Sequence, residues 1–263
     1  MSQFITSQPA VQLTSGPSEE AHRRMLSRRG EPLFLAAWRR VLMLHFEVDA
    51  AALQRDVPFQ LDLYQGRAFV SLVAFSMEDM RPRFGGRLGA RLLRPIATHH
   101  FLNVRTYVVH RTEPGIHFLA EWLSSRLAAM LGPVTFGLPY RYGHVAYDFS
   151  SPQSLLQGRV VNMRTHAALA FHGKLTSSAQ PQPCAADSLT EWLMERYTAF
   201  NSAGGIRRYF RVWHPPWPQC PASVTLDDLT LFTARWPWFK EARLVGANYS
   251  PGFDSVWMGR PHW

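Results

Sequence analysis

From residue 38 onward, the chain is a succession of short runs of β-branched and aromatic residues separated by Gly, Pro and Asp. Runs of this kind are typical of β-strands that end in turns. They predict strands at 38–48, 67–77, 103–111, 115–122, 142–149, 159–165, 167–175 and 206–213. Because many short strands leave open sheet edges unless the sheet closes, the pattern favours a closed or nearly closed sheet. We expect a mainly β fold of the α+β class, built as an antiparallel barrel.

Helix signals are few. The clearest is Ser188-Leu189-Thr190-Glu191, a capping box in which the Ser hydroxyl and the Glu carboxylate satisfy free backbone amides, and it predicts a helix over 188–200. Shorter helices are expected at 49–56, 125–131 and 226–235. Asp49 is the expected N-cap of the first, and Gly132-Pro133 is expected to close the second. All of them are short enough to be peripheral.

Residues 1–30 differ from the rest of the chain. They are rich in Ser, Gln, Thr and Pro and then charged, without sustained periodicity, so we expect a mobile tail with room for a short helix at its end. No repeat and no Gly/Ser linker divides residues 31–263, which are expected to form a single domain. Cys184 and Cys220 lack the spacing of a disulfide, zinc or redox motif, which favours a reducing compartment.

The net charge of +9 comes almost entirely from arginine, because only Lys174 and Lys240 are lysines. A basic chain raises nucleic acid as a partner, but the charge is spread along the sequence without a basic helix or a patterned aromatic and basic motif. Nucleic acid is therefore disfavoured. No apolar run approaches the ~20 residues that a membrane-spanning helix needs. We expect a cytoplasmic protein with no membrane partner.

Metal and nucleophile motifs are absent from the sequence. His99-His100, His110 and His117 lie close in sequence, but adjacent strand residues point to opposite faces, and no Cys or carboxylate stands at a ligand spacing. The chain has no Gly-x-Ser-x-Gly elbow, so hydrolase chemistry has no support. We expect no metal and no cofactor.

Two segments carry side chains suited to a small ligand. Along 103–109, alternation puts Asn103, Arg105 and Tyr107 on one face, which either meets water or lines an interior pocket. The turn at 137–144 offers hydrogen-bond donors and a titratable group, or is simply a structural turn packed by tyrosines. Together these segments give six candidate ligand-binding residues: Asn103, Arg105, Tyr107, Tyr140, Arg141 and His144.

Two further segments leave alternatives open. The Arg- and Gly-rich stretch 81–94 is either an anion-clamping flap or, as we favour, a solvated loop. His214, in the run His214-Pro215-Pro216-Trp217-Pro218, is either an acid or base or, more often for such a histidine, bonded to a backbone carbonyl.

Several of these segments recur together, in the same order, in one family. They are Val48-Asp49, Gly66-Arg67-Ala68-Phe69-Val70, Asn103-Val104-Arg105-Thr106-Tyr107-Val108, Gly137-Leu138-Pro139-Tyr140, Glu195-Arg196-Tyr197 and the run from His214 to Pro218. Over about 38–252, the chain resembles the YqjF-like family, a domain of unknown function. That family is similar in fold to acetoacetate decarboxylase. The resemblance therefore implies a cone-like antiparallel β-barrel with a central cavity.

The chain departs from the decarboxylase at its reactive centre. That enzyme works through a Schiff-base lysine in a pair that follows a Gly-x-Pro turn, whereas Gly137-Leu138-Pro139 is followed here by Tyr140 and Arg141. Tyrosine has no amine, and arginine stays protonated. A family carboxylate is expected to be replaced by Phe101. Lys174 is the remaining candidate nucleophile, although a surface position is favoured for it.

The sequence thus predicts a decarboxylase-like barrel that binds a small carboxylate or carbonyl compound in an electropositive, hydrogen-bond-donating cavity without Schiff-base chemistry. One alternative is an enzyme that uses Tyr, His and Arg acid-base chemistry on a small keto acid, by enolisation, dehydration or a decarboxylation-like step. Another is a surface for nucleic acid or a protein partner. Whether the protein is catalytic, and whether it is a homo-oligomer, stays open.

Overall fold

The computed structural model describes residues 16–151, 155–177 and 180–263. Its strands are β1 Phe34–Val48, β2 Gln60–Leu61, β3 Ala68–Pro82, β4 His99–His110, β5 Glu113–Leu123, β6 Tyr140–Ser151, β7 Leu155–Asn162, β8 Ala168–Leu175, β9 Thr198–Ala203, β10 Ile206–Trp213, β11 Cys220–Asp228 and β12 Arg243–Met258. Its helices are α1 Pro17–Leu26, α2 Ala50–Asp56, α3 Gly86–Leu93, α4 Arg126–Phe136, α5 Leu189–Met194 and α6 Thr230–Thr233. Two 3₁₀ turns lie at Arg94–Ile96 and Pro237–Glu241. The prediction of a mainly β chain with a few helices is confirmed.

The strands form one mixed sheet in the order β10-β9-β5-β6-β7-β8-β11-β12-β1-β3-β4-β2. Two further pairings, β5 with β4 and β10 with β12, return the sheet onto itself. The expectation of a wholly antiparallel sheet is wrong at two places, because β5 pairs in parallel with both β6 and β9. The connection from β5 to β6 runs through helix α4, and a helical crossover of this kind brings the next strand back in the same direction.

The central strands are buried on both faces. On one face, Leu42, Leu72 and Val104 belong to a large apolar core that also holds Trp122 and Phe171. The opposite face packs into two smaller apolar clusters. Burial on both sides explains why the first ten residues of β3 are buried without interruption, rather than alternating as in a half-exposed strand.

All eight predicted strands correspond to observed strands, but the strands at the C-terminal end were partly missed. The helix that begins at Ser188 ends at Met194 and not at 200, because residues 198–203 pair with β10 and β5 as strand β9. In the same way, the expected helix at 226–235 is reduced to Thr230–Thr233, because the residues before it extend β11. Tertiary pairing overrides weak helix propensity in both cases.

The predicted helix starts at Asp49 and Ser188 are confirmed by their caps. The Asp49 carboxylate accepts a hydrogen bond from Ala52 N at 2.7 Å, and the Ser188 hydroxyl accepts one from Glu191 N at 3.1 Å. Helix α4 continues through Gly132-Pro133 to Phe136 and ends at Gly137 in the left-handed region. The Arg- and Gly-rich stretch, expected as a loop, contains helix α3.

Helix α1 packs against β10 through buried Ala21 and Met25. The Ser18 hydroxyl donates a hydrogen bond to the His214 carbonyl at 2.7 Å. Residues 1–15, where the predicted mobile tail begins, lie outside the described residues. Within the described ranges, no helix combines the length and the apolar character needed to span a bilayer.

We expect Gly252→Ala to lower the free energy of unfolding by about 2 kcal/mol or more, measured by urea denaturation. Gly252 has φ of +93°, and an added Cβ would lie 1.8 Å from the Trp38 carbonyl oxygen. Gly246→Ala is the matched control on the same strand, since an added Cβ there has nothing within 4 Å. A change of about 0.5 kcal/mol or less is expected for the control. Equal effects of the two substitutions would contradict this account of the β1–β12 pairing.

Candidate functional site

A cavity of about 250 Å³ lies between strands β3, β4 and β5, helix α4 and strand β10. Its wall is mainly apolar, with Trp38, Phe75, Met77, Phe101, Phe118, Phe136, Phe210 and Met258 among the lining residues. Five polar side chains also line it: His99, Asn103, Glu121, Thr135 and Tyr140. An apolar cavity with a few polar groups is the usual form of a small-molecule site.

Sheet register brings three of these polar side chains side by side. Asn103 on β4 is the direct partner of Glu121 on β5. Glu121 is in turn the partner of Tyr140 on β6. The Glu121 amide also donates to the Pro139 carbonyl at 3.2 Å, which fixes the start of β6 against β5. Directly paired residues share a face, so Asn103, Glu121 and Tyr140 form one polar row across three strands.

Glu121 is the most unusual member of this polar row. It is 2% exposed, and its Oε2 atom has no hydrogen-bond partner among the described residues. Burial raises the pKa of the Glu121 carboxyl well above its ordinary value of 4.5. The side chain is therefore held as the neutral acid over a range in which an exposed glutamate is ionised, and its O–H can donate to a ligand.

The other polar groups of the cavity are also uncharged. Burial raises the pKa of Tyr140 well above 10.0, with a smaller contribution from Glu121 where that carboxyl is ionised, so the Tyr140 hydroxyl is retained as a donor. Burial lowers the pKa of His99 to about 4, so the imidazole is neutral at neutral pH. Asn103 Oδ1 is buried without a partner in the part of the chain that the structure describes. Unpaired buried polar atoms are costly, and a bound ligand would satisfy them.

Arg105 and Tyr107 lie farther along the same face of β4 as Asn103. The Arg105 Nη2 atom donates to the Leu193 carbonyl at 3.1 Å, and the Tyr107 hydroxyl donates to the same oxygen at 3.0 Å. Arg105 lines a small void of about 30 Å³ that it shares with Asn103. Its Nε atom has no partner within the described ranges. Arg105 therefore stands next to the main cavity, behind Asn103.

Tyr107 belongs to a continuous chain of hydrogen bonds that begins at His45. His45 Nδ1 lies 2.7 Å from Ser71 Oγ, and Ser71 Oγ lies 2.5 Å from the Tyr107 hydroxyl oxygen. With Tyr107 donating to Leu193, these distances fit donation from His45 to Ser71 and from Ser71 to Tyr107. Burial, with a contribution from Arg105, lowers the pKa of His45 to about 3, so this imidazole is neutral.

Arg141 and His144 are not among the cavity-lining residues. Arg141 is partly buried, and its pKa is lowered by burial and by the positive charges of Arg235 and Arg164. His144 is exposed on β6. Of the six predicted site residues, the structure thus brings Asn103 and Tyr140 together at the cavity. Arg105 and Tyr107 lie beside it, and Arg141 and His144 lie apart from it.

The sequence analysis missed Glu121, although one signal was present. Glu121 is the single acidic residue inside the apolar run from Ile116 to Leu123, where a strand with both faces buried gives an acid no access to water. The expected replacement of a family carboxylate by Phe101 stays a prediction. Phe101 does line the cavity, but the neighbouring strand supplies a carboxyl group to it.

Other candidates from the sequence lie outside the cavity. Lys174 and Lys240 are both exposed, so neither amine belongs to the lining. His214 is buried, and its Nδ1 atom forms a hydrogen bond with the Pro215 carbonyl at 2.7 Å. This agrees with the favoured interpretation of His214 as a histidine bonded to a backbone carbonyl. In the described ranges, no group of three or more His, Cys, Asp and Glu side chains could hold a metal ion.

Helix α4 closes over the polar row at very short range. A Cβ atom added to Gly132 would lie 2.1 Å from the ring of Tyr140, so the ring occupies the space that any other residue would need. The absence of a side chain at position 132 therefore decides where the Tyr140 ring sits in the cavity wall.

Comparison with known proteins supplies the context for this cavity. The sequence model of DUF2071, described as an uncharacterized conserved protein, matches residues 35–253. The chain is 31% identical over 198 residues to the uncharacterized protein YqjF of Bacillus subtilis (strain 168), which covers 73% of this chain and 78% of that protein.

Two solved structures share the fold at low identity. An acetoacetate decarboxylase-like enzyme from Sphingomonas wittichii RW1 has a TM-score of 0.59 and 14% identity, covering 89% of this chain and 94% of that chain. The enduracididine biosynthesis enzyme MppR, complexed with pyruvate, has a TM-score of 0.57 and 13% identity, covering 88% of this chain and 90% of that chain.

We expect the substitution Glu121→Gln to stabilise the protein increasingly as the pH rises above about 4.5. The native state retains the Glu121 proton in this range while the unfolded state releases it, so the unfolded state binds fewer protons and the wild type loses stability with rising pH. Glutamine removes this dependence without changing the shape of the side chain. The measurement is the difference in melting temperature between variant and wild type from pH 4 to pH 8.

Glu241→Gln is the control, because it removes one exposed carboxyl elsewhere. A melting-temperature difference for Glu121→Gln that does not change with pH would show that Glu121 is ionised in the native protein.

Proposed function

Because the chain belongs to the DUF2071 family and has the fold of acetoacetate decarboxylase-like enzymes, we propose that its cavity binds a small carbonyl or carboxylic-acid compound without forming an imine. The observation that carries the proposal is the polar row of Glu121, Asn103 and Tyr140 in a mainly apolar cavity. The structural neighbour MppR was solved with pyruvate, a small keto acid, which is the same class of ligand.

The chemistry of the polar row suits an oxygen acceptor. A protonated Glu121 and the Tyr140 hydroxyl both donate hydrogen bonds, and the Asn103 amide both donates and accepts. One carbonyl oxygen would satisfy these donors, and the surrounding aromatic and methionine side chains favour an apolar remainder. The described lining holds no Lys and no Arg. The polar row itself therefore suits a neutral carbonyl better than a free carboxylate.

Arg105 extends the proposal to keto acids. It shares the small void behind Asn103, and its Nε atom is unpaired among the described residues. A guanidinium binds a carboxylate through two parallel hydrogen bonds. A compound with a carbonyl at Glu121 and a carboxylate turned toward Arg105 would use both groups. This orientation makes short 2-oxo and 3-oxo acids the first compounds to test.

We expect one or more compounds from a panel of short ketones and oxo acids to raise the melting temperature of the wild type. Asn103→Leu should weaken the binding of such a compound by about tenfold or more, because a buried hydrogen bond to the ligand is lost. His144→Ala, an exposed position outside the lining, is the control and should bind as the wild type does. Two results would contradict the proposal. One is a panel in which no compound affects the wild type, and the other is an affinity, measured by calorimetry, that Asn103→Leu leaves unchanged.

We expect no covalent adduct when the protein is incubated with pyruvate or acetoacetate and reduced with borohydride. An imine requires a neutral amine in the cavity, and both lysines of the chain are exposed. Intact-mass spectrometry provides the measurement, with the double variant Lys174→Arg, Lys240→Arg as the control. A reduced adduct on the wild type that this double variant lacks would restore Schiff-base chemistry to the protein.

A second candidate function is acid-base catalysis on the same ligand, and the raised pKa of Glu121 favours it. A carboxyl held close to a carbonyl compound can give a proton to its oxygen or take one from the neighbouring carbon, which enolises the compound. The test is exchange of that carbon's hydrogen for deuterium in heavy water, followed by proton NMR. Catalysed exchange that Glu121→Gln abolishes would establish the enzyme. Binding without exchange would leave the protein a binding module.

A further inference from the structure

Two helices that border the cavity leave large apolar side chains exposed. On α3, Leu88 is 70% exposed and Leu92 is 72% exposed, and on α4, Met130 is 71% exposed and Val134 is 80% exposed. The same two helices reach the cavity through other residues, Leu93 from α3 and Leu131 from α4. Helix α4 also contacts the 3₁₀ turn that follows α3. The exposed apolar side chains therefore flank the cavity, and we refer to α3 and α4 together as the flanking helices.

The flanking segments are basic and carry no acid. Residues 80–98 and 124–137 contain six arginines and no Asp or Glu: Arg81, Arg83, Arg87, Arg91, Arg94 and Arg126. Two acids stand just before the first segment: Glu78, which is paired with Arg40, and Asp79, which is exposed. On α3, Arg87 and Arg91 are four residues apart, and so are Leu88 and Leu92, which places a basic row beside an apolar row on one short helix. Such a face fits a partner that has negative charges for the arginines and an apolar region that can bury the leucines.

The charges distinguish between possible partners. A second copy joined by two-fold symmetry would bring these arginines toward the same arginines of the other copy, with no acid in either segment to offset them. Residues 1–15 contain no Asp or Glu either and offer no complementary charge. Anionic lipid supplies both required parts, because its headgroups attract arginine and the acyl boundary accepts leucine, methionine and valine.

We propose that the flanking helices dock the protein reversibly onto an anionic lipid surface, with the cavity beside the lipid. The contact is peripheral and involves no spanning segment. The proposal differs from the expectation, given in the sequence analysis, that the protein has no membrane partner. The inference stands on exposure and charge at α3 and α4, so it does not depend on which compound the cavity binds.

The test is co-sedimentation of the full chain with vesicles of phosphatidylcholine and phosphatidylglycerol in equal parts, compared with vesicles of phosphatidylcholine alone. The wild type should bind the anionic vesicles at least tenfold more strongly than the neutral ones. Added salt should reduce this difference in binding. Arg87→Gln, Arg91→Gln should weaken binding to the anionic vesicles by about tenfold or more. Leu88→Ser, Leu92→Ser should weaken it by a similar factor through lost apolar insertion.

Matched controls come from exposed positions elsewhere on the molecule. Arg159→Gln, Arg164→Gln removes the same charge from the β7 region, and Ile206→Ser removes an exposed apolar side chain from β10. Both control variants should bind the anionic vesicles within about twofold of the wild type. A control that loses binding as strongly as the α3 variants would overturn the proposal, because attraction would then depend on overall charge or apolarity.

Hydrogen exchange of the wild type gives a check that needs no variant. Anionic vesicles should slow amide exchange at 86–93 and 126–136 and leave the strands unchanged. Absence of vesicle binding would overturn the proposal, as would vesicle binding without protection of these helices. A dimer in size-exclusion chromatography that Leu88→Ser, Leu92→Ser converts to monomer, without any vesicle binding, would assign the surface to a second copy instead.

Discussion

The central strands of this protein have no face that meets bulk water, and the character of its interior follows from that constraint. One face of strands β1, β3, β4 and β5 packs into the large apolar core. The other face, called here the second face, packs into the two smaller apolar clusters, which together form the second interior. A polar side chain on the second face must therefore be neutral or hydrogen-bonded, because an ionised group would have no solvent to stabilise it. The low pKa of His45 and the high pKa of Glu121 are two results of the same burial.

The second interior contains two polar systems that differ in how far they are satisfied. The chain from His45 Nδ1 through Ser71 and Tyr107 to the Leu193 carbonyl is continuous, and it ties helix α5 to the sheet. The row of Glu121 and Asn103 retains unpaired oxygens, and these oxygens border empty space. A satisfied network rigidifies its surroundings, whereas an unsatisfied one beside a cavity invites a ligand. This difference separates the structural part of the second face from the part that borders the cavity.

Much of the architecture could be predicted from local patterns. The strand runs, the caps at Asp49 and Ser188 and the resemblance to the YqjF-like and decarboxylase-like proteins were all confirmed. The strand at 198–203 was missed because its partners lie far away in sequence, and the parallel pairing of β5 was missed because no local signal encodes strand direction.

The site was predictable only to the extent that alternation along a strand decides on which face each side chain lies. Alternation along β4 correctly grouped Asn103, Arg105 and Tyr107, but it could not tell which of them meets open space. Glu121 acquires its importance from register with Asn103 and Tyr140, which is a property of three strands and not of one.

The close approach of Gly132 to the Tyr140 ring also bears on the size of the cavity. Because one helix position without a side chain fixes an aromatic ring in the cavity wall, exchange at that position would resize the chamber while the sheet beneath it stayed the same. The size of the cavity in such a fold can thus change through helix α4, independently of the sheet that carries the polar row.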